Sequence, residues 1–124
     1  MSHEIMHPSF ERSDERGTFQ EVLNDGRWES LIRGNMKTGA VMGNHYHKHT
    51  VIFFYLTTGE AAIKTVNVET GERDEFQLKS GQGTLLRVNE SHAIRFLKES
   101  EFILLKSQKY ELEDPDTYRF LVED

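Results

Sequence analysis

Three histidines stand at alternate positions in Gly43-Asn44-His45-Tyr46-His47-Lys48-His49, and a fourth, His92, lies in a second glycine-led segment that opens at Gly81. A strand sends residues i, i+2 and i+4 to one face, so this spacing can aim several imidazoles at one point. Neutral imidazoles gathered there can hold a divalent ion or pass a proton near neutral pH. His45, His47 and His92 are therefore candidate ligands for zinc, manganese, nickel or iron, and His49 is a fourth if the backbone bends towards it. His45 is also the candidate base. The plainer alternative is the polar face of an exposed strand.

The elements that must position these rings read as short strands. Strands are expected over residues 18–23, 28–33, 51–57, 61–68, 73–78, 84–88, 93–97 and 102–108, separated by turn signals such as Asn24-Asp25-Gly26, Glu69-Thr70-Gly71 and Ser80-Gly81-Gln82-Gly83. Gly43-Asn44 reads as a turn that leads into the histidine run. No segment keeps a helical period over eleven residues. The fold class is all-β, a double-sheet jelly roll. Residues 1–16 are polar and acidic and are expected as a mobile N-terminal arm, with a single domain over 17–124. The run from Val51 to Leu56 is apolar on both faces, so a second sheet or another subunit must cover its outer side. A homodimer is expected on that ground.

Composition narrows the classes. The chain has no cysteine, which excludes disulfides, thiolate metal sites and a thiol nucleophile. Its net charge is −6 and its basic residues are scattered, so no nucleic-acid partner is expected. The opening residues show no basic n-region or apolar h-region, and the longest apolar run is far too short to span a bilayer. No membrane partner and a cytoplasmic location are the expectations.

The spacings resemble the two motifs of the cupin family, whose fold is a double-stranded β-helix, the jelly-roll barrel. Gly39, His45, His47, Ile52 and Gly59 fall on the first motif, and Gly81, Arg87, Asn89, His92 and Phe96 on the second. His92 at its matched position argues against the exposed-strand alternative. Where metal-binding members place a glutamate this chain has Ile52, so the carboxylate of a mixed site is missing. Three imidazoles can still hold a metal with positions open to water or ligand. A pocket that uses its histidines only for hydrogen bonding is the competing reading.

Three further segments narrow the resemblance. Asp14-Glu15-Arg16-Gly17-Thr18-Phe19-Gln20-Glu21 resembles the opening strand of dTDP-4-dehydrorhamnose 3,5-epimerases. Gly43-Asn44-His45-Tyr46-His47 and the closing Pro115-Asp116-Thr117-Tyr118 resemble cupin domains fused to capsular polysaccharide reductases. Sugar-nucleotide 3,4-ketoisomerases share the fold and a similar histidine core. The resemblance implies an enzyme on a nucleotide-linked 4-keto hexose, an epimerase or isomerase of surface-polysaccharide synthesis with no organic cofactor. It also implies that the base role of the epimerase histidine carries over to His45. A coordinated imidazole has no lone pair left for a proton, so ligand and base are competing roles for that ring. Arg33, Lys37, Arg87 and Arg95 are candidate substrate-binding cations. Tyr46, Tyr55 and Tyr118 are candidate proton donors, although the apolar run around Tyr55 favours packing. Arg16 and Glu21 could reach across a dimer, and Trp28 could stack on a base or anchor the core. Two other functions stay open: a metal-dependent small-molecule oxygenase or isomerase, and a non-catalytic cupin that binds a sugar or effector.

Overall fold

A computed structural model describes residues 3–123. Residues 1, 2 and 124, the ends of the expected arm and domain, lie outside the described residues. In chain order the strands are β1 (Phe10–Asp14), β2 (Gly17–Glu21), β3 (Ser30–Met36), β4 (Val41–Tyr46), β5 (Ile52–Thr58), β6 (Glu60–Asn67), β7 (Arg73–Lys79), β8 (Gln82–Leu86), β9 (Glu90–Phe96), β10 (Ser100–Lys106) and β11 (Tyr118–Arg119). β1 and β2 pair only with each other. The rest form a four-stranded sheet in the order β3-β10-β5-β8 and a five-stranded sheet in the order β11-β4-β9-β6-β7. All pairings are antiparallel. This is the jelly-roll architecture expected from the strand spacing. Among the described residues no helix is long and apolar enough to cross a membrane.

Alternation along the strands makes the core. Ile52, Phe54 and Leu56 of β5 pack with Ile63 of β6, Ile94 and Phe96 of β9, and Phe102 and Leu104 of β10. Each such side chain contributes about 1.5–3 kcal/mol when fully buried. The intervening residues of β5 face the other way. Phe53 and Tyr55 are nonetheless only 1% and 4% exposed. Trp28 lies over Phe53, with ring centroids 6.5 Å apart, and the Trp28 indole N–H is tied to the Asp25 carbonyl. Trp28 is therefore an anchor for the outer face of the sheet. The chain itself covers the apolar run, so that run is no longer a reason to expect a second subunit.

The opening segment also has structure of its own. Met6 pairs with Gly83 in both directions, at 2.7 and 2.8 Å, and so caps the edge of β8. Farther back, the His3 ring stacks on Phe76 and lies between Asp74 of β7 and Glu90 of β9, at 2.7 and 2.9 Å. Burial alone would depress the His3 imidazole. Its hydrogen bonds to Glu90 and Asp74 outweigh that and raise it above its ordinary value. Residues 3–6 thus strap the edge of one sheet to the other.

Candidate functional site

The histidine cluster is built by an extra residue in β4. Met42 pairs with Ile94 and Gly43 with Ala93, but the next pair is His45 with His92, so Asn44 has no partner on β9. Met42 packs against the core beside Ile94. Strict alternation would then send residues 44 and 46 inward. The bulge shifts the parity by one, and His45 and His47 turn in to meet His92. Gly43-Asn44 is thus a bulge inside a strand, not the turn that the sequence suggests.

Both bulge residues are of the type the backbone demands. Gly43 has φ of +106°, and a Cβ there would run into the His92 carbonyl oxygen. Asn44 has φ of +59°, a left-handed conformation that Asn tolerates better than most residues. Its side chain fastens the end of the chain. Nδ2 donates to the Glu123 carbonyl at 2.6 Å, and Oδ1 accepts from the Val122 and Glu123 amides at 2.8 and 2.9 Å.

A second clamp fixes His47. Its Nδ1–H donates to the Asp116 carbonyl at 2.7 Å, which leaves Nε2 as the lone-pair nitrogen. The Asp116 carboxylate accepts from the Lys48 and His49 amides and from the Thr50 hydroxyl. One residue of the closing loop therefore orders the whole stretch after β4.

The three rings stand close. His45 lies 5.1 Å from His47 and 4.8 Å from His92, centroid to centroid, and both contacts are edge-on. His47 and His92 are buried, while His45 is only partly so. His45 is thus the ring that a ligand reaches first. Burial pushes His45 down to about 4, and the charges of His47, Lys106 and Arg119 add to the effect. Burial likewise pushes His92 down to about 3, followed by the influence of His45 and His47. His47 is lowered chiefly by burial, against the opposing pull of the Asp116 carbonyl. At neutral pH all three rings are neutral, with lone pairs free to accept a proton or bind a cation.

The cluster fits a metal in donor type, with no carboxylate in the set. His47 Nε2 and His92 Nδ1 are buried without a hydrogen-bond partner among the described residues, and such nitrogens are what a nitrogen-loving ion takes up. One nitrogen from each ring falls within a common span of 4.8 Å, whereas nitrogens on one tetrahedral ion are about 3.4 Å apart. At that widest spacing the rings would have to draw together. Ile52, at the glutamate position of the metal-binding motif, is buried in the core, so no carboxylate offsets the ion's charge from there.

The other candidates fall outside the cluster. Tyr55 is on the face of β5 opposite Ile52 and Phe54, away from the barrel interior that holds His92. Tyr46 and Tyr118 stack on each other at 5.4 Å with Lys48 over Tyr118, and the parity of β4 turns Tyr46 away from His45. Arg95 alternates outward from His92 and meets Glu123. Arg87 pairs with Glu90 in the turn before β9. Arg33 lines a groove of about 460 Å³ along β3 and β10 with Asn35, Thr57 and Glu101. Lys37 sits in the exposed β3–β4 turn, His49 is exposed beyond the end of β4, and Arg16 is engaged with Asp14. Glu21 bonds to Ser9 within the opening segment. What the sequence reading missed is Lys106, Arg119 and the clamping role of Asp116. Lys106 was detectable, because it continues the alternate series Phe102, Leu104 of an expected strand. Arg119 was not, since β11 is two residues long and is defined only by its pairing with β4.

Comparison with known proteins agrees with this architecture. The family model of the polysaccharide biosynthesis C-terminal domain matches residues 12–118. No curated protein matches the sequence closely enough to count as a relative. Among solved structures, the capsular polysaccharide assembling protein CapF from Staphylococcus aureus is 24% identical with a TM-score of 0.71, over 91% of this chain and 32% of that one. This chain thus spans about a third of CapF. A dTDP-4-dehydrorhamnose 3,5-epimerase from Sulfolobus tokodaii is 18% identical with a TM-score of 0.75, over 91% of this chain and 73% of that one. The corresponding enzyme from Bacillus anthracis, with TDP and PPi bound, is 13% identical with a TM-score of 0.80, over 98% and 80%. At these identities the likeness speaks for the fold, a cupin jelly roll shared with sugar-nucleotide epimerases. The match over residues 12–118 goes further: this chain belongs to the polysaccharide biosynthesis C-terminal domain family.

Proposed function

We propose that the histidine cluster moves a proton next to the ketone of a nucleotide-linked 4-keto hexose, as an epimerase or isomerase of polysaccharide biosynthesis. The observation that carries this reading is the graded burial of the three neutral imidazoles. His45 is the partly open one, with His47 and His92 packed behind it. The family supports the pathway, and the fold of the dTDP-sugar epimerases supports the substrate class.

The chemistry follows from the environment. A ring held down to about 4 is deprotonated at neutral pH and ready to accept a proton. Its conjugate acid is strong, so proton transfer is uphill unless the product is stabilised. The enediolate formed beside it supplies negative charge at short range, which favours the imidazolium in a water-poor site. Positioned acid–base catalysis of this kind gives roughly 10²–10⁴-fold in rate. Arg119, paired across β11 with His45, is a better placed cation for the diphosphate than Arg33, Lys37, Arg87 or Arg95.

The test is solvent deuterium exchange into dTDP- and UDP-linked 4-keto-6-deoxyhexoses. Wild-type protein should exchange a ring hydrogen, and His45→Asn should abolish it. Tight binding without exchange would sink the enzyme reading and leave a sugar-binding module.

The orphaned nitrogens of His47 and His92 favour a second reading. His45, His47 and His92 would then hold a divalent ion, which supplies a Lewis acid for a carbonyl oxygen. Stoichiometric metal in untagged, active protein would support this reading, and full activity after chelation would end it.

A further inference from the structure

The inward face of β10 ends in a charge. Phe102 and Leu104 belong to the core, and Lys106 follows at the next alternate position. The register places Lys106 directly opposite Ile52. Ile52 stands where the metal-binding motif carries its glutamate. At this layer of the barrel the carboxylate has been replaced by an apolar side chain, and the cross-strand neighbour is a cation. The charge of the pocket is inverted relative to a mixed histidine-carboxylate site.

Two observations support directing this charge at the cluster. The alternation of Lys106 with Phe102 and Leu104 and its place opposite Ile52 aim it at the layer of the three rings, and its charge is among the influences that lower His45, His47 and His92. Among the described residues Lys106 forms no ion pair. Lys106 is also only partly exposed. A partly exposed lysine at this layer, with no carboxylate partner among the described residues, leaves a charge that an anionic oxygen can meet.

We propose that Lys106 is a catalytic residue that holds the ligand's ketone oxygen as it becomes an oxyanion. This rests on the proton-transfer reading above and adds its missing half. His45 takes the proton from the carbon next to the ketone. The C–H electron pair forms the carbon–carbon double bond, and the carbonyl π pair moves onto oxygen beside the Lys106 ammonium. Return of the proton to carbon reverses each shift, so no oxidant, reductant or metal enters the balance. The same ammonium repels a divalent cation, which sets this chain apart from members that carry glutamate opposite.

Lys106→Met and Lys106→Arg test the assignment, both on the full chain treated with a chelator. Met keeps the length of the stem and removes the charge, while the β10 backbone bonds stay intact. The first probe is oxalate, a planar dianion that mimics an enediolate, followed through the histidine ring nitrogens by NMR. Wild type and Lys106→Arg should bind it, and Lys106→Met should bind at least tenfold more weakly. The second readout is deuterium exchange into the dTDP-linked 4-keto sugar. Lys106→Met should lower kcat about 100-fold, in the range found for loss of one oxyanion donor, with KM changed far less and partial rescue by Lys106→Arg. Equal oxalate affinity and equal kcat in Lys106→Met would overturn the proposal. If wild type exchanges no hydrogen with any sugar, the substrate reading fails and the oxalate result alone decides the role of Lys106. Should Lys106→Met fail to fold, the wild-type Lys106 side-chain resonance serves instead: a shift on adding oxalate supports the contact, and no shift refutes it.

Discussion

Asn44 offers the sharpest test of how the site is assembled. It does two separable things: it occupies a left-handed conformation at +59°, and it makes three hydrogen bonds to residues 122 and 123. Asn44→Gly keeps the backbone conformation and removes the bonds. At a net 0.5–1.5 kcal/mol each, the loss is about 1.5–4.5 kcal/mol in fastening the closing segment. Asn44→Ala removes the same bonds and adds roughly 1 kcal/mol for the left-handed residue. Asn44→Asp keeps the acceptor for the two amides but sets an anion against the Glu123 carbonyl, so it should fall between wild type and Gly. The assay is amide hydrogen exchange at Phe120, Val122 and Glu123, combined with urea unfolding. Protection at these amides should fall in the order wild type, Asp, Gly, Ala. The global midpoint should move less than the local protection, because the segment can detach while the core strands hold. Equal protection in wild type and Asn44→Gly would refute the hydrogen-bond account. Identical behaviour of Gly and Ala would refute the role of the backbone conformation.

Other expectations concern the same rings and straps. Gly43→Ala should disrupt the bulge, since its Cβ would meet the His92 carbonyl; a loss of about 2–4 kcal/mol in urea and a shifted His92 ring signal are expected. Stability should also respond to pH in two opposite senses. His45 and His92 have folded values depressed to about 4 and about 3, so the unfolded chain binds more protons and stability falls as pH drops below about 6.5. For His45 alone this amounts to on the order of 3 kcal/mol by pH 4. His3 has a raised value, so its contribution is full below about 6.5 and is lost as pH rises through the folded value. Urea midpoints from pH 4 to 9 check both senses: His45→Asn should flatten the acid limb and His3→Gln the alkaline one. His3→Gln should also expose the Gly83 amide, which donates to Met6, to faster exchange at neutral pH.

Most of the barrel was legible because burial on one face writes a period of two into the sequence. The expected strands correspond to β2, β3 and β5–β10 with shifted ends. β4 escaped because Gly43 and Asn44 carry turn chemistry, and local chemistry cannot distinguish a turn from a bulge. The distinction lies in the partner strand, where Ala93 and His92 continue without a break. β1 was hidden in a polar stretch whose pairing partner is equally polar. His45, His47 and His92 were found as a set because motif spacing encodes the register between β4 and β9. Tyr55 and the four candidate cations were named for their chemistry and their place in the sequence, without regard to strand parity, and parity or exposed turns place them elsewhere. Lys106 was missed for the converse reason: its parity pointed inward, but a lysine at a strand end usually reads as a solvated charge.

The Asp116 clamp has a consequence for the order in which this molecule comes into being. The hydrogen bond that fixes the His47 ring spans 69 residues, and the Asn44 bonds span 78 and 79. Contacts this distant in sequence form late, since their loop-closure entropy must be met first. On the ribosome, β4 emerges well before residue 116 exists. The nascent chain can pair its early strands and bury much of its apolar surface while His47 still turns freely. Competence at the cluster is therefore acquired only when residues 116–123 arrive, and a chain cut short before them should fold its barrel yet hold its histidines in no fixed order.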